Sequence, residues 1–196
     1  MTSVITPSTE SVGKYLEKWN TLENYVLQEQ SLKHLFYHLC PTNNKIEDVL
    51  IKVSALNDFY STNIFDTYTV AKHILNKDID SRLRSKDYSL VNDIAQVTIK
   101  AKTRNFYSFA SKYCSHHKPD DFPIYDSFVE KMLIYYRKAN AFHKFKKEDL
   151  KSYDIFIEII TMFQRFYGLG KFSLRQIDIF LWLAGKEFFP KNYWRA

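Results

Sequence analysis

The chain has 196 residues, 45% of them hydrophobic and 26% charged, enough apolar material to bury a core without staples. Two cysteines, Cys40 and Cys114, exclude a disulfide framework and a four-thiolate cluster, and no apolar run approaches the roughly eighteen residues of a membrane span. The net charge of +6 fits an anionic partner such as nucleic acid, and equally fits lysines solvated on helix faces.

Only four Gly and five Pro stand beside 17% aromatic residues, which favours helices over a many-stranded sheet. Residues 1–11 are polar and carry no signal-peptide core, so the expected location is cytoplasmic, and nucleoid-associated in a bacterium. Apolar residues then recur at helical spacing along most of the chain. Val12, Leu16, Trp19, Leu22 and Val26 predict a first helix, and Ser31 a short one that Pro41 stops. Ile46, Val49, Leu50, Val53, Leu56 and Phe59 predict a third; the local strand pattern of "VLIKVSAL" yields to its 3–4 spacing. Tyr68, Ala71, Ile74 and Leu75 mark a fourth, and Val91, Ile94, Val97 and Ala101 another. Phe156, Ile157, Ile160, Phe163 and Tyr167 predict a long helix closed by "GLG". The last opens at Ser173 with the capping box "SLRQ" and ends at Gly185. With no repeat, low-complexity tract or linker, the chain reads as all-α and as a single domain over residues 1–196.

The chemistry concentrates in "SFASKYCSHHKPDDFPIYDSFVEKML", Ser108 to Leu133. Ser108, Ala110 and Ser111 are small residues just before Lys112, and Pro119 and Pro123 bound a short loop. Ser127-Phe128-Val129-Glu130 has the form of a capping box, which puts Asp126 and Ser127 at a helix start. The plain readings are a helix cap for Asp126 and an exposed side chain for Lys112.

Together these residues resemble a known family. "FPIYDSFVEKML" is similar to the Pro-hydrophobic-x-Asp segment of the helix-hairpin-helix DNA glycosylases, and "SFASKYC" falls where they carry the hairpin Gly-x-Gly-x-Lys-x-Ala. The branch most resembled is the small bacterial 8-oxoguanine glycosylase-like one. Ser108 and Ala110 stand in place of the hairpin glycines, and Phe106-Tyr107 in place of Leu-Pro. The motif covers some thirty residues, and the helical pattern extends the likeness loosely over 45–185. The resemblance implies a base-excision glycosylase with AP-lyase activity on an oxidised purine, and a partner in duplex DNA holding a damaged base. It implies action as a monomer without metal, cofactor or membrane. Lys112 would be the nucleophile and Asp126 the stabiliser, the short loop bringing both helix starts to one sugar. Ser108, Ala110, Ser111, Lys102, Arg104 and His116 would contact nucleic acid.

The chemistry asks for those two groups. Departure of the base leaves positive charge on the sugar, which a carboxylate stabilises best where water is excluded. A neutral amine can attack C1′ and form an imine, after which elimination nicks the strand. The extruded base must sit among flat or apolar groups, and Asn57, Tyr60, Asp178 and Trp182 are candidates for that pocket. Their plain readings are helix-end residues for Asn57 and Tyr60, and an Arg175–Asp178 ion pair beside a core Trp182. His34 and His38 have the spacing of paired metal ligands near Cys40, but nothing else in the sequence completes a site. The alternative reading is a non-catalytic helical module that keeps the fold and binds DNA or protein. A third is an unrelated helical interaction domain.

Overall fold

The structure, a computed structural model, describes residues 4–190. The chain folds as two compact units: a mid-chain unit, residues 24–124, and a terminal unit made of 1–23 and 125–196. Ten α-helices and one two-stranded hairpin make up most of the regular structure among the described residues, so the chain is all-α in class.

The terminal unit begins with α1 (Thr9–Asn20), capped reciprocally by Ser8 and Ser11. The helix expected to run through Val26 breaks at Thr21, whose amide and hydroxyl both turn back to the Lys18 carbonyl. The chain starts again as α2 (Glu23–His34). Later in the terminal unit come α8 (Ser127–Asn140), α9 (Tyr153–Phe166) and α10 (Leu174–Phe188). Here α10 packs against both α1 and α8. Ser173 caps α10 with Gln176 as expected, and Gly168, left-handed at φ 64°, closes α9. Gly185 is not the stop predicted for it, because α10 runs on to Phe188. Its role is close approach: a Cβ there would lie 2.7 Å from the Phe128 Cβ of α8. Aromatic rings fill this core, among them Tyr15, Tyr136, Phe156, Phe163 and Phe180.

In the mid-chain unit α2 continues through Ser31, and a π-helical turn (Leu35–Leu39) follows it. Ser31 is therefore interior to a helix rather than its start. Next come α3 (Ile46–Tyr60), α4 (Thr67–Leu75), α5 (Ile79–Arg84) and α6 (Ser89–Ala95). The helix expected to run on to Ala101 stops at Ala95. In its place β1 (Gln96–Ile99) pairs antiparallel with β2 (Lys102–Asn105). Lys100 and Ala101 both take positive φ, as a two-residue hairpin turn requires. The spacing of Val91, Ile94 and Val97 carries no mark of this change, and the turn lacks the usual Gly or Asn. The hairpin leads into α7 (Tyr107–His117), which packs on α6 and α3.

Candidate functional site

Phe106 donates its amide to the Ala95 carbonyl, fastening the end of the hairpin to α6 just before α7 begins. "SFASKYC" therefore lies inside one continuous helix, where the resemblance places a glycine hairpin. This corrects the expectation for two residues. Ala110 and Ser111 are fully buried, the Ala110 amide donates to the Phe106 carbonyl, and the Ser111 hydroxyl donates to the Ser108 carbonyl. In this conformation neither offers a group to a phosphate.

Lys112 is not the exposed lysine of its plain reading, being only 5% exposed. Its Nζ donates to the Ser108 hydroxyl at 2.6 Å and to the Ser108 carbonyl at 3.2 Å, one turn back. The same nitrogen lies 5.1 Å from the centre of the Tyr60 ring. The Tyr60 hydroxyl pairs with His116 Nε2 at 2.9 Å. The mid-chain unit thus gathers Tyr60, Ser108, Lys112 and His116 into one cluster. His116 is itself buried, while Lys102 and Arg104 are exposed on β2.

Asp126 is the N-cap of α8: its Oδ1 accepts from the Phe128 and Val129 amides at 2.8 and 3.0 Å. Oδ2 makes no hydrogen bond among the described residues. The cap sits one residue earlier than the expected Ser127 box, and Glu130 instead meets Tyr125, Lys147 and Lys151. Lys112 belongs to the mid-chain unit and Asp126 to the terminal unit.

The pocket candidates have local partners. The Asn57 side chain closes the turn after α3, accepting from Thr62 and the Ile64 amide and donating to the Ile64 carbonyl. That is the bonding of a helix-end residue. Asp178 is buried and ion-paired with Arg175, and Trp182 meets Trp19 edge to face at 6.0 Å. His34 and His38 lie ring against ring at 5.4 Å, and among the described residues no group of three metal-binding side chains gathers.

A polar cluster went unread in the sequence. Lys52 has no exposure, and its Nζ donates to the Thr42 carbonyl at 2.8 Å and to Asn43 Oδ1 at 2.6 Å. Asn43 also binds Tyr113, Asp80 and His117. Burial pulls the Lys52 ammonium down to about 8, against the pull of Asp80, Cys40 and Asp48. Its signal was available: Lys52 sits three residues after Val49 and four before Leu56, on the apolar stripe of α3.

Among the described residues these features define a helical protein with one short hairpin, whose mid-chain unit buries two lysines in polar clusters. The chain belongs to the HI_0787_N family, whose model, described as an N-terminal domain, matches residues 11–121. The match takes in Lys112 and ends before Asp126. A relative in Haemophilus influenzae (strain ATCC 51907 / DSM 11121 / KW20 / Rd) is 52% identical over 148 residues. That alignment covers 75% of this chain and 71% of the relative, which bears the name "Uncharacterized protein". No solved structure shows significant similarity.

Proposed function

We propose that the protein is a DNA N-glycosylase with AP-lyase activity, of the helix-hairpin-helix type, acting on an oxidised purine such as 8-oxoguanine. The observation that supports it is Lys112, an amine withdrawn from water beside a hydroxyl and an aromatic ring. Attack at C1′ needs a lysine held in place in a site poor in water, and Lys112 is so held. In this reading the Lys112 amine attacks C1′ and the C–N bond to the base breaks. Loss of the ring C–O bond then gives an imine, and β-elimination releases the 3′ side of the strand. Asp126, with one oxygen engaged in capping and the other outside that bond pair, stabilises the positive charge on the sugar.

Borohydride trapping on a panel of lesion-bearing duplexes tests the reading. Wild type should yield a covalent protein–DNA adduct with its lesion, and Lys112→Gln none. Lys102, Lys118 and Lys131 serve as controls, since none occupies the motif position. Asp126→Asn should lower excision by orders of magnitude with little loss of stability, because an Asn still caps. Trapping that survives Lys112→Gln, or free base released without any trapped adduct, means Lys112 is not the nucleophile. The continuous helix through "SFASKYC" favours a second reading, a non-catalytic DNA-binding module. That reading expects binding without excision on every lesion.

A further inference from the structure

The loop between α3 and α4, residues 61–66, carries an unusual side chain: Phe65 is 97% exposed. Burying such a ring is favourable, and this position forgoes that gain. The loop around it is braced. Ser61 and Asn63 are fixed in left-handed conformations, Ile64 is buried, and the Asn57 amide holds both the amide and the carbonyl of Ile64. On the other side Asp66 caps α4 through the Thr69 amide and hydroxyl. Phe65 therefore stands between two anchored residues. Asn57, expected at the base itself, supports the loop that carries this ring.

The surroundings are flat and basic. Tyr68, in the first turn of α4, is 56% exposed, and the Lys72 ammonium lies 5.5 Å from its ring. Because α4 packs on β1, the hairpin stands alongside. The Thr69 amide and hydroxyl and, more weakly, Lys100 hold the Asp66 carboxyl below its ordinary range. Lys100, Lys102 and Arg104 are exposed and make no ion pair among the described residues. Exposed aromatic rings interleaved with exposed cations match a polyanion that carries flat apolar groups. They match an apolar protein groove poorly, since the cations would then be desolvated without partners.

We propose that Phe65 is a base-stacking residue that enters a gap in a DNA duplex, with Tyr68 beside it and the β1–β2 hairpin on the adjoining phosphates. This rests on the nucleic-acid reading above and names a contact surface for it. An inserted apolar ring offsets the loss of base stacking where a base is missing, unpaired or extruded.

The test compares wild type, Phe65→Ala and Phe65→Trp on a fully paired duplex and on one with a single unpaired or abasic position. Phe65→Ala should weaken binding to the gapped duplex about tenfold or more, the scale of one base–aromatic stack. Binding to the paired duplex should change little. Phe65→Trp should restore the affinity, and its added fluorescence should be quenched on binding. Since Phe65 is exposed, both variants should fold, which circular dichroism checks. Equal affinity of wild type and Phe65→Ala for the gapped duplex overturns the proposal, as does absence of DNA binding by wild type. Loss of self-association in Phe65→Ala, with DNA binding intact, would make the patch a contact between copies and also overturn it. Phe65-dependent binding without excision of any lesion would leave this inference standing and sink the glycosylase reading alone. Excision and gapped-duplex binding both unchanged in Phe65→Ala would do the reverse.

Discussion

Asn43 uses every hydrogen-bonding position of its amide. Oδ1 accepts from Lys52 and Tyr113, Nδ2 donates to Asp80 and approaches His117 Nε2 at 3.2 Å, and the backbone amide also donates to Asp80. With both Nδ2 protons committed, His117 Nε2 must be an acceptor, so the ring is neutral with its proton on Nδ1. Protonation would set an N–H against the Asn43 amide protons, in a site already holding Lys52. Burial first, then Lys52, His116 and Lys118, keeps the His117 pKa well below its ordinary value of 6.5. The unfolded chain then takes up a proton below about pH 6.5 that the folded chain refuses, so stability falls as pH drops through that range. The slope contributed by one such group reaches about 1.4 kcal/mol per pH unit. Thermal melts between pH 7 and 5 should show this decline in wild type. His117→Gln, which keeps an acceptor for Asn43 but cannot titrate, should show a flatter profile. Equal slopes would mean that His117 is not the acid-sensitive group.

At the scale of elements, two helices in the terminal unit depend on the absence of one carbon atom. A Cβ on Gly185 would meet the Phe128 Cβ at 2.7 Å and its carbonyl oxygen at 2.9 Å, and backbone cannot yield as a side-chain tip can. Gly185→Ala gains up to about 1 kcal/mol of helix propensity. Overpacking costs about 1–3 kcal/mol, so the net change should be destabilising. A melting temperature lowered by several degrees is expected; an unchanged or raised one would show that α8 and α10 separate without cost. The sequence marked Gly185 as a helix end because glycine serves both uses, and only the Phe128 contact tells them apart. Local signals were read well elsewhere: the Ser173 cap, the left-handed Gly168, and the periodic stripes of α3, α4 and α9. Elements set by tertiary context were not. In "QVTIKAKTRN" the β-branched run Val97-Thr98-Ile99 leans toward a strand, but the turn lacks the usual Gly or Asn and the hairpin rests on α4 and α6 packing against it. The cluster around Asn43 was hidden for the same reason, because His117 stands 74 positions from it in the chain. For Lys112 and Asp126, the sequence indicated the helix start at Asp126 but gave no sign that Lys112 is buried.

For the molecule as a whole, the excess of basic residues means less than where they remain unpaired. Arg82 is bound at 2.7 Å to both Asp87 and Asp93, and Lys86 at 2.8 Å to Asp121, so the "RLRSK" cluster is largely neutralised within the fold. Lys18 meets Glu187, and Lys147 and Lys151 share Glu130. The hairpin cluster Lys100, Lys102 and Arg104 keeps its charge exposed. If the protein binds duplex DNA, each phosphate it neutralises should steepen the log–log dependence of affinity on salt by about 0.9. Replacing the three hairpin cations with Gln should therefore flatten that slope by about 2 to 3. Arg82→Gln should leave the slope as it is and lower the melting temperature, since it removes an internal pair of bridges rather than a phosphate contact. Titrations at several salt concentrations, with melts on the same variants, separate the two effects. A flat wild-type slope would exclude a role on duplex DNA. A slope that responds to Arg82 but not to the hairpin would put the contact surface elsewhere in the chain.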